Sequence, residues 1–132
     1  VGEIDKVAWI RVEDGRVLCA RSRGKDVWYL PGGKREAGET DLETLAREVT
    51  EELGVAIVSE SARHVGTFTA PAHGRAAGTL VRMTCYAADY RGTLRPASEI
   101  EELAWLGYAD RHRVSPANQL VFDHLWSTGA LR

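Results

Sequence analysis

The chain holds little sulfur and little proline: two cysteines, one methionine and four prolines in 132 residues. Two thiols cannot build the disulfide framework of a small secreted domain. Cys19 and Cys85 both sit among apolar residues in strand-like segments. They read as buried free thiols in a reducing compartment, with a single bridge between them as the alternative. No apolar run approaches the roughly 18 residues a membrane helix needs, so no membrane partner is expected. The opening VGEIDKVAWI has no basic stretch leading into a long apolar one, so no secretory leader is read and the cytoplasm is the expected location. Excess positive charge is missing too. Seventeen Lys and Arg face nineteen Asp and Glu, for a net charge of −2, and the isoelectric point is near 6.1. A nucleic-acid polymer as partner calls for a basic surface and is not expected. No repeat, low-complexity tract or linker interrupts the order. What remains is an ordinary globular mixture, 44% hydrophobic and 27% charged, of a length that suits one domain over residues 1–132.

Against that background one segment stands out: GKREAGETDLETLAREVTEELGV, residues 33–55. Pro31-Gly32-Gly33 breaks regular structure and Gly38 adds a permissive position, so a loop is expected there. Thr40 followed by Glu43 has the spacing of a capping box, and Gly54 sits where a helix ends. Between them Leu42, Leu45, Ala46, Val49 and Leu53 share one face at helical spacing. Glu48, Glu51 and Glu52 form a second face, with Arg47 at its edge. Like charges on one helix turn repel. A divalent cation between the carboxylates turns that repulsion into binding, because hard cations take oxygen ligands. The segment is therefore a candidate magnesium site beside a loop that can approach phosphate.

These residues resemble the Nudix box, G-x5-E-x7-R-E-U-x-E-E-x-G-U, where U is a bulky aliphatic residue. Gly33, Glu39, Arg47, Glu48, Val49, Glu51, Glu52, Gly54 and Val55 fill its fixed positions without departure. Seven single-identity matches at about 7% each would arise by chance in about one window in 10⁸. The resemblance implies an α/β fold, the Nudix α/β/α sandwich with a mixed β-sheet between helices. It implies hydrolysis of a nucleoside diphosphate linked to another moiety X, with water attacking phosphorus and Mg²⁺, or Mn²⁺ in its place, as cofactor. By the same resemblance Glu48, Glu51 and Glu52 are the catalytic and metal-binding residues, any of which can be the general base, and the carbonyl of Gly32 is a further ligand. Gly33, Glu39 and Arg47 are expected to support the site. A small nucleotide carrying its own magnesium needs no basic field on the protein. Monomer and homodimer both remain open.

The rest of the chain reads as strands around that helix. Lys6–Val12 alternates and turns at Asp14-Gly15 into Arg16–Ser22; Val27–Leu30 is expected as a short strand delivering the Pro-Gly-Gly loop. Val55–Ser59 and Arg63–Ala70 follow, then Gly78–Tyr90 as the longest strand, with Val81, Met83, Cys85 and Ala87 on one face, and Leu103–Leu106. Ser115-Pro116 opens a second helix to about Trp126, with proline at its first position.

Substrate signals are sparser. Trp28-Tyr29-Leu30-Pro31-Gly32-Gly33 and Pro116-Ala117-Asn118 resemble the MutT-like branch, which implies a nucleoside triphosphate, including oxidised purines of the 8-oxo-dGTP type, cleaved to a monophosphate and pyrophosphate. Asn118 offers a donor and an acceptor to a base edge; the competing reading is a first-turn asparagine satisfied by backbone. Phe122, one turn on, is a candidate stacking platform, and Trp9, Trp28 and Met83 are candidates for the same cavity, though core is the default for such residues. Arg21, Arg23, Lys25, Lys34 and Arg35 flank the glycine loop and are candidates for gripping phosphate. Glu99, Glu101 and Glu102 occupy the stretch where family members supply a further metal ligand, with Glu99 and Glu102 the choices here. The four histidines show no metal spacing. Two other functions compete. Pro71, in the loop Phe68–Gly74, resembles a proline of ADP-ribose pyrophosphatases, which would make X a sugar. A nucleotide-sensing module without turnover is the non-enzyme alternative, disfavoured because every glutamate of the box is present.

Overall fold

The computed structural model describes residues 2–132. β1 (Glu3–Ile10) runs through its centre and alternates between two apolar cores, because successive strand residues face opposite sides of a sheet. Val7 and Trp9 point to one core; Ala8 and Ile10 point to the other. β2 (Val12–Glu13) and β3 (Arg16–Ser22) form a hairpin through Asp14-Gly15, both at positive φ, the conformation of a type I′ turn. β4 (Gly32–Lys34) then pairs antiparallel with β1. The helix α1 (Asp41–Leu53) follows, then β5 (Ala56–Ile57), β6 (Arg63–Pro71), β7 (Leu80–Ala87), β8 (Tyr90–Arg91), β9 (Ile100–Leu106) and the helix α2 (Pro116–Ser127).

The main sheet has the order β4-β1-β7-β6, with β1 and β7 parallel and the outer pairs antiparallel. A second, antiparallel sheet is ordered β2-β3-β9, and β5 pairs with β8. α1 seals one face of the main sheet: Leu45, Val49 and Leu53 pack with Val7 and Trp9. α2 seals the other, where Ala117, Val121, Phe122 and Leu125 pack with Ala8, Ile10, Met83 and Cys85. The result is an α/β sandwich with a mixed sheet between helices. Among the described residues no helix is long and apolar enough to cross a membrane.

Several expected boundaries move. Residues 27–30 are no strand but touch their neighbours by two isolated bridges, Ala20 with Tyr29 and Trp28 with Val114. Residues 32–34, expected as loop, are the edge strand β4 instead. Gly32 makes that possible, since at φ 147° a side chain there would collide with the Val7 carbonyl of β1. β6, with nine residues, is longer than β7, with eight. β7 ends at Ala87 because the chain leaves the sheet there: the Trp9 indole N–H donates to the Ala88 carbonyl at 3.0 Å, and the Val58 N–H to the Asp89 carbonyl at 2.9 Å. The 55–59 strand shrinks to Ala56–Ile57, and β9 begins three residues before the expected Leu103, at Ile100. Cys19 and Cys85 are both free and buried.

Candidate active site

α1 carries the acidic face, and its ends are held from within the chain. The Thr40 hydroxyl accepts from the Glu43 N–H at 3.2 Å, and the Glu43 carboxylate accepts from the Thr40 N–H at 2.8 Å. Gly54 closes the helix in the left-handed conformation at φ 71°. The apolar row presses on β1, which turns the adjacent row, Glu48 and Glu52, toward β4. Gly33 is where helix and strand meet most closely; a Cβ there would overlap the Glu48 carboxylate.

Arg47 organises the loop between β4 and α1. Its guanidinium donates to both oxygens of Glu39, at 2.8 and 2.9 Å, to the Lys34 carbonyl at 3.1 Å and to Glu48 at 2.7 Å. Glu39 also accepts from the Glu36 N–H at 2.9 Å. The paired arginine first, and that N–H second, hold the Glu39 carboxyl down at about 2.

Glu52 is the unusual member. It is only 4% exposed, and its carboxylate accepts the Gly32 N–H at 3.0 Å. Burial pushes its pKa up to about 8; Gly32 opposes that shift, while Glu48 and Glu99 add to it. Burial likewise raises Glu48 against the pull of Arg47, with Glu51 and Glu99 adding to the rise. Glu51 is more exposed and lies 3.8 Å from Arg47. Among the described residues no three Asp, Glu, His or Cys side chains stand close enough together to hold a metal ion. In this arrangement Glu48 is paired with Arg47 and Glu52 with the Gly32 N–H.

Glu48, Glu52, Gly32 and Gly33 line a cleft of about 1110 Å³. Lys34, Glu99, Asn118 and Met83 line it as well. The Asn118 Oδ1 accepts from the Leu30 N–H at 3.1 Å, and its Nδ2 donates to the Ser115 hydroxyl at 2.7 Å, so the amide ties α2 to the chain entering β4.

Other expected positions lie elsewhere. Phe122 is fully buried, with no face for a base to stack on. Trp28 is buried beneath Arg21 and Arg113, whose guanidinium carbons sit 5.8 and 5.4 Å from its ring. Trp9 faces α1, on the wrong side of the sheet. Arg21 pairs with Glu102 and Glu101 and donates to the Lys25 carbonyl, and neither Arg21 nor Glu102 lines the cleft; their places on adjacent strands, in register, bring them together. Arg23 donates to the Ser98 carbonyl at 2.7 Å, and Arg35 is bound by Asp5 and Asp41. Among the cleft residues to which sequence reading gave no role are Lys6, Tyr29 and Arg75. Burial raises the Tyr29 pKa to about 12, and its hydroxyl is hydrogen-bonded to that of Ser22. The signal for Lys6 was present, as a charge interrupting the inward row Ile4, Ala8, Ile10.

A helix of carboxylates beneath a glycine edge strand, opening on a cleft, is the arrangement of a hydrolase family whose members generally act on small nucleotides with a divalent metal. The NUDIX domain model matches residues 4–124, and the chain belongs to that family as a Nudix hydrolase. Nearly its full length is similar to the CTP pyrophosphohydrolase of Escherichia coli K12, 31% identical over 136 residues, covering 98% of this chain and 96% of that protein. It is 56% identical over 43 residues to the RNA pyrophosphohydrolase of Halorhodospira halophila, a match covering 33% of this chain and only 24% of that protein. Among solved structures, the E. coli ORF135 protein superposes with a TM-score of 0.78 at 26% identity, covering 98% of this chain and 93% of that one.

Proposed function

We propose that residues 1–132 act as one Mg²⁺-dependent pyrophosphohydrolase that cleaves a nucleoside triphosphate into the monophosphate and pyrophosphate, with Mn²⁺ able to replace Mg²⁺. The observation that carries this reading is Glu48 and Glu52 converging with Gly32-Gly33 on the wall of one deep cleft. The donor set fits a hard cation: all ligands are oxygens, from Glu48, Glu51, Glu52, Glu99 and the Gly32 carbonyl. Burial first, and then its acidic neighbours Glu48 and Glu99, hold the Glu52 pKa up at about 8, and a cation beside it would favour the carboxylate form. Magnesium bound there would neutralise phosphoryl charge and lower the pKa of water.

The protein's own groups do the rest. With a cation beside it Glu52 is held as the carboxylate, and in that form it accepts the proton of the attacking water. Arg47, bound to both Glu39 and Glu48, keeps the loop and the helix in register. Asn118, with one amide hydrogen and one oxygen lone pair still unused, reads the base edge.

The identity of the base divides two substrates. Asn118 favours a purine, oxidised or not, and similarity along the whole chain to a CTP pyrophosphohydrolase favours CTP. A second reading takes an NDP-sugar such as ADP-ribose, because Ala72, His73, Gly74 and Arg75, just past Pro71, form part of the cleft wall. A kcat/KM panel of CTP, the purine triphosphates, 8-oxo-dGTP, ADP-ribose and dinucleoside polyphosphates decides among them. Triphosphates are expected to lead, with pyrophosphate as product and ¹⁸O from water entering one product only. ADP-ribose outperforming every triphosphate would overturn the reading.

A further inference from the structure

Four cationic side chains that line the cleft, Lys6, Lys25, Lys34 and Arg75, have no acidic partner among the described residues, and three of them are near enough for Lys34 and Arg75 to act on Lys6. These three are Lys6 on β1, Lys34 on β4 and Arg75 in the loop between β6 and β7. Most other basic side chains nearby are already engaged: Arg21, Arg35 and Arg47 pair with carboxylates and Arg23 with a carbonyl. Among the described residues Lys6, Lys34 and Arg75 make no ion pair and no side-chain hydrogen bond.

Lys6 is the most costly of the three. The face of the sheet that it occupies is otherwise apolar: Ile4, Ala8 and Ile10 on β1, Val81, Met83 and Cys85 on β7. It stands beside Met83 in the parallel pairing and directly opposite Lys34 in the antiparallel one. Like charges set opposite each other across two strands destabilise a sheet. Burial lowers the Lys6 pKa first, Lys34 and Arg75 lower it further, and Glu52 and Glu48 push back. A half-buried ammonium with two cationic neighbours, only partly offset by Glu52 and Glu48, contributes little to the free fold. An anion entering the cleft would supply the missing charge.

We propose that Lys6, Lys34 and Arg75 form a cradle for the terminal phosphate of the substrate, the group that stands where a sugar would in an NDP-sugar. This rests on the triphosphate reading above and sharpens it. The cradle selects an X that is itself phosphate over one that is a neutral sugar. An uncharged ring offers three cations little, whereas a multiply charged oxyanion meets all three. Lys6 and Arg75 thereby become specificity residues, placed by β1 and by the β6–β7 loop rather than by the helix of glutamates.

The test uses Lys6→Met, Lys6→Arg and Arg75→Gln, with inorganic tripolyphosphate as the probe. Binding is measured by calorimetry, once in chelator and once with Ca²⁺. The wild type is expected to bind, Lys6→Met and Arg75→Gln to bind at least about tenfold more weakly, and Lys6→Arg to stay within about threefold, given the strength of charged hydrogen bonds. Without ligand, Lys6→Met should melt a few degrees higher, on the order of 2–4 °C, because a poorly compensated charge has left an apolar surface. In turnover, Lys6→Met should raise the triphosphate KM about tenfold with kcat within about threefold, while the KM of ADP-ribose stays within about twofold. Unchanged tripolyphosphate affinity in Lys6→Met, or a lower melting temperature, overturns the cradle. Calorimetry and melting that behave as expected in a protein that cleaves no triphosphate would leave the cradle standing and remove the triphosphate reading.

Discussion

Glu52 is an acidic side chain at 4% exposure whose carboxylate has one backbone N–H for company. Stability is surrendered to keep it there. Its folded pKa, about 8, lies above the ordinary carboxyl value of 4.5, so the folded protein holds a proton that the unfolded chain releases. The contribution is therefore complete below about pH 4.5 and is lost as pH rises through about 8; the raised pKa of Glu48 has the same sign. In chelator, the melting temperature of the wild type should fall between pH 5 and pH 9, and that of Glu52→Gln should fall less. Parallel melting profiles would show that the carboxyl is not protonated as described. The same substitution should cut kcat by about 10³ or more with the fold retained, the scale expected when a proton acceptor and ligand are removed together.

At the scale of elements, β4 is the least conventional piece. A three-residue edge strand with two glycines has low intrinsic preference for a sheet. It exists because Gly32 can take φ 147° and lie against the Val7 backbone, where the obstacle to any side chain is a carbonyl oxygen that cannot move aside. Gly33 faces α1, and there the obstacle is the Glu48 carboxylate, the end of a flexible side chain. The two glycines therefore predict different defects. Gly32→Ala should cost about 3 kcal/mol or more in a urea titration, by strain and overpacking of the strand. Gly33→Ala should cost clearly less stability while displacing Glu48 and lowering kcat. Equal destabilisation by the two would refute the assignment of their separate roles. α1 shows how little of this depends on the helix itself: its capping box and its Gly54 end are local devices that would form in many contexts.

At the scale of the whole molecule, β1 divides the labour. One side of it, with α1, builds a core; the other builds a second core with α2 and, where Lys6 interrupts the apolar row, the floor of the cleft. Both cores are apolar, and the acidic cluster lies at their margin. Chelation is therefore expected to abolish turnover while the far-ultraviolet circular dichroism stays unchanged, and added Mg²⁺ or Mn²⁺ should restore the rate. Loss of the dichroism signal on chelation would mean that the metal holds the fold together, contrary to this division.

Much of this was legible in the chain before folding. Residues 33–55 announced a capped helix with one apolar and one acidic face, because capping and helical periodicity are local and survive transfer from peptide to protein. The same stretch pointed to family and cofactor class, since seven identities at set spacing encode a geometry. Tertiary structure alone decided which charges were free. Arg21, Arg23 and Arg35 looked as available as Lys34 until strand register set Arg21 against Glu102 and folding brought Arg35 to Asp5 and Asp41. Phe122 looked like a stacking platform and Trp28 like a cavity wall until packing closed over them, and Lys6 and Arg75 drew no notice until β1 and the β6–β7 loop met at one cleft. Periodicity is written along the chain and can be read there. The pairing of one charge with another depends on which strands become neighbours, a choice made by the burial of the whole apolar surface at once.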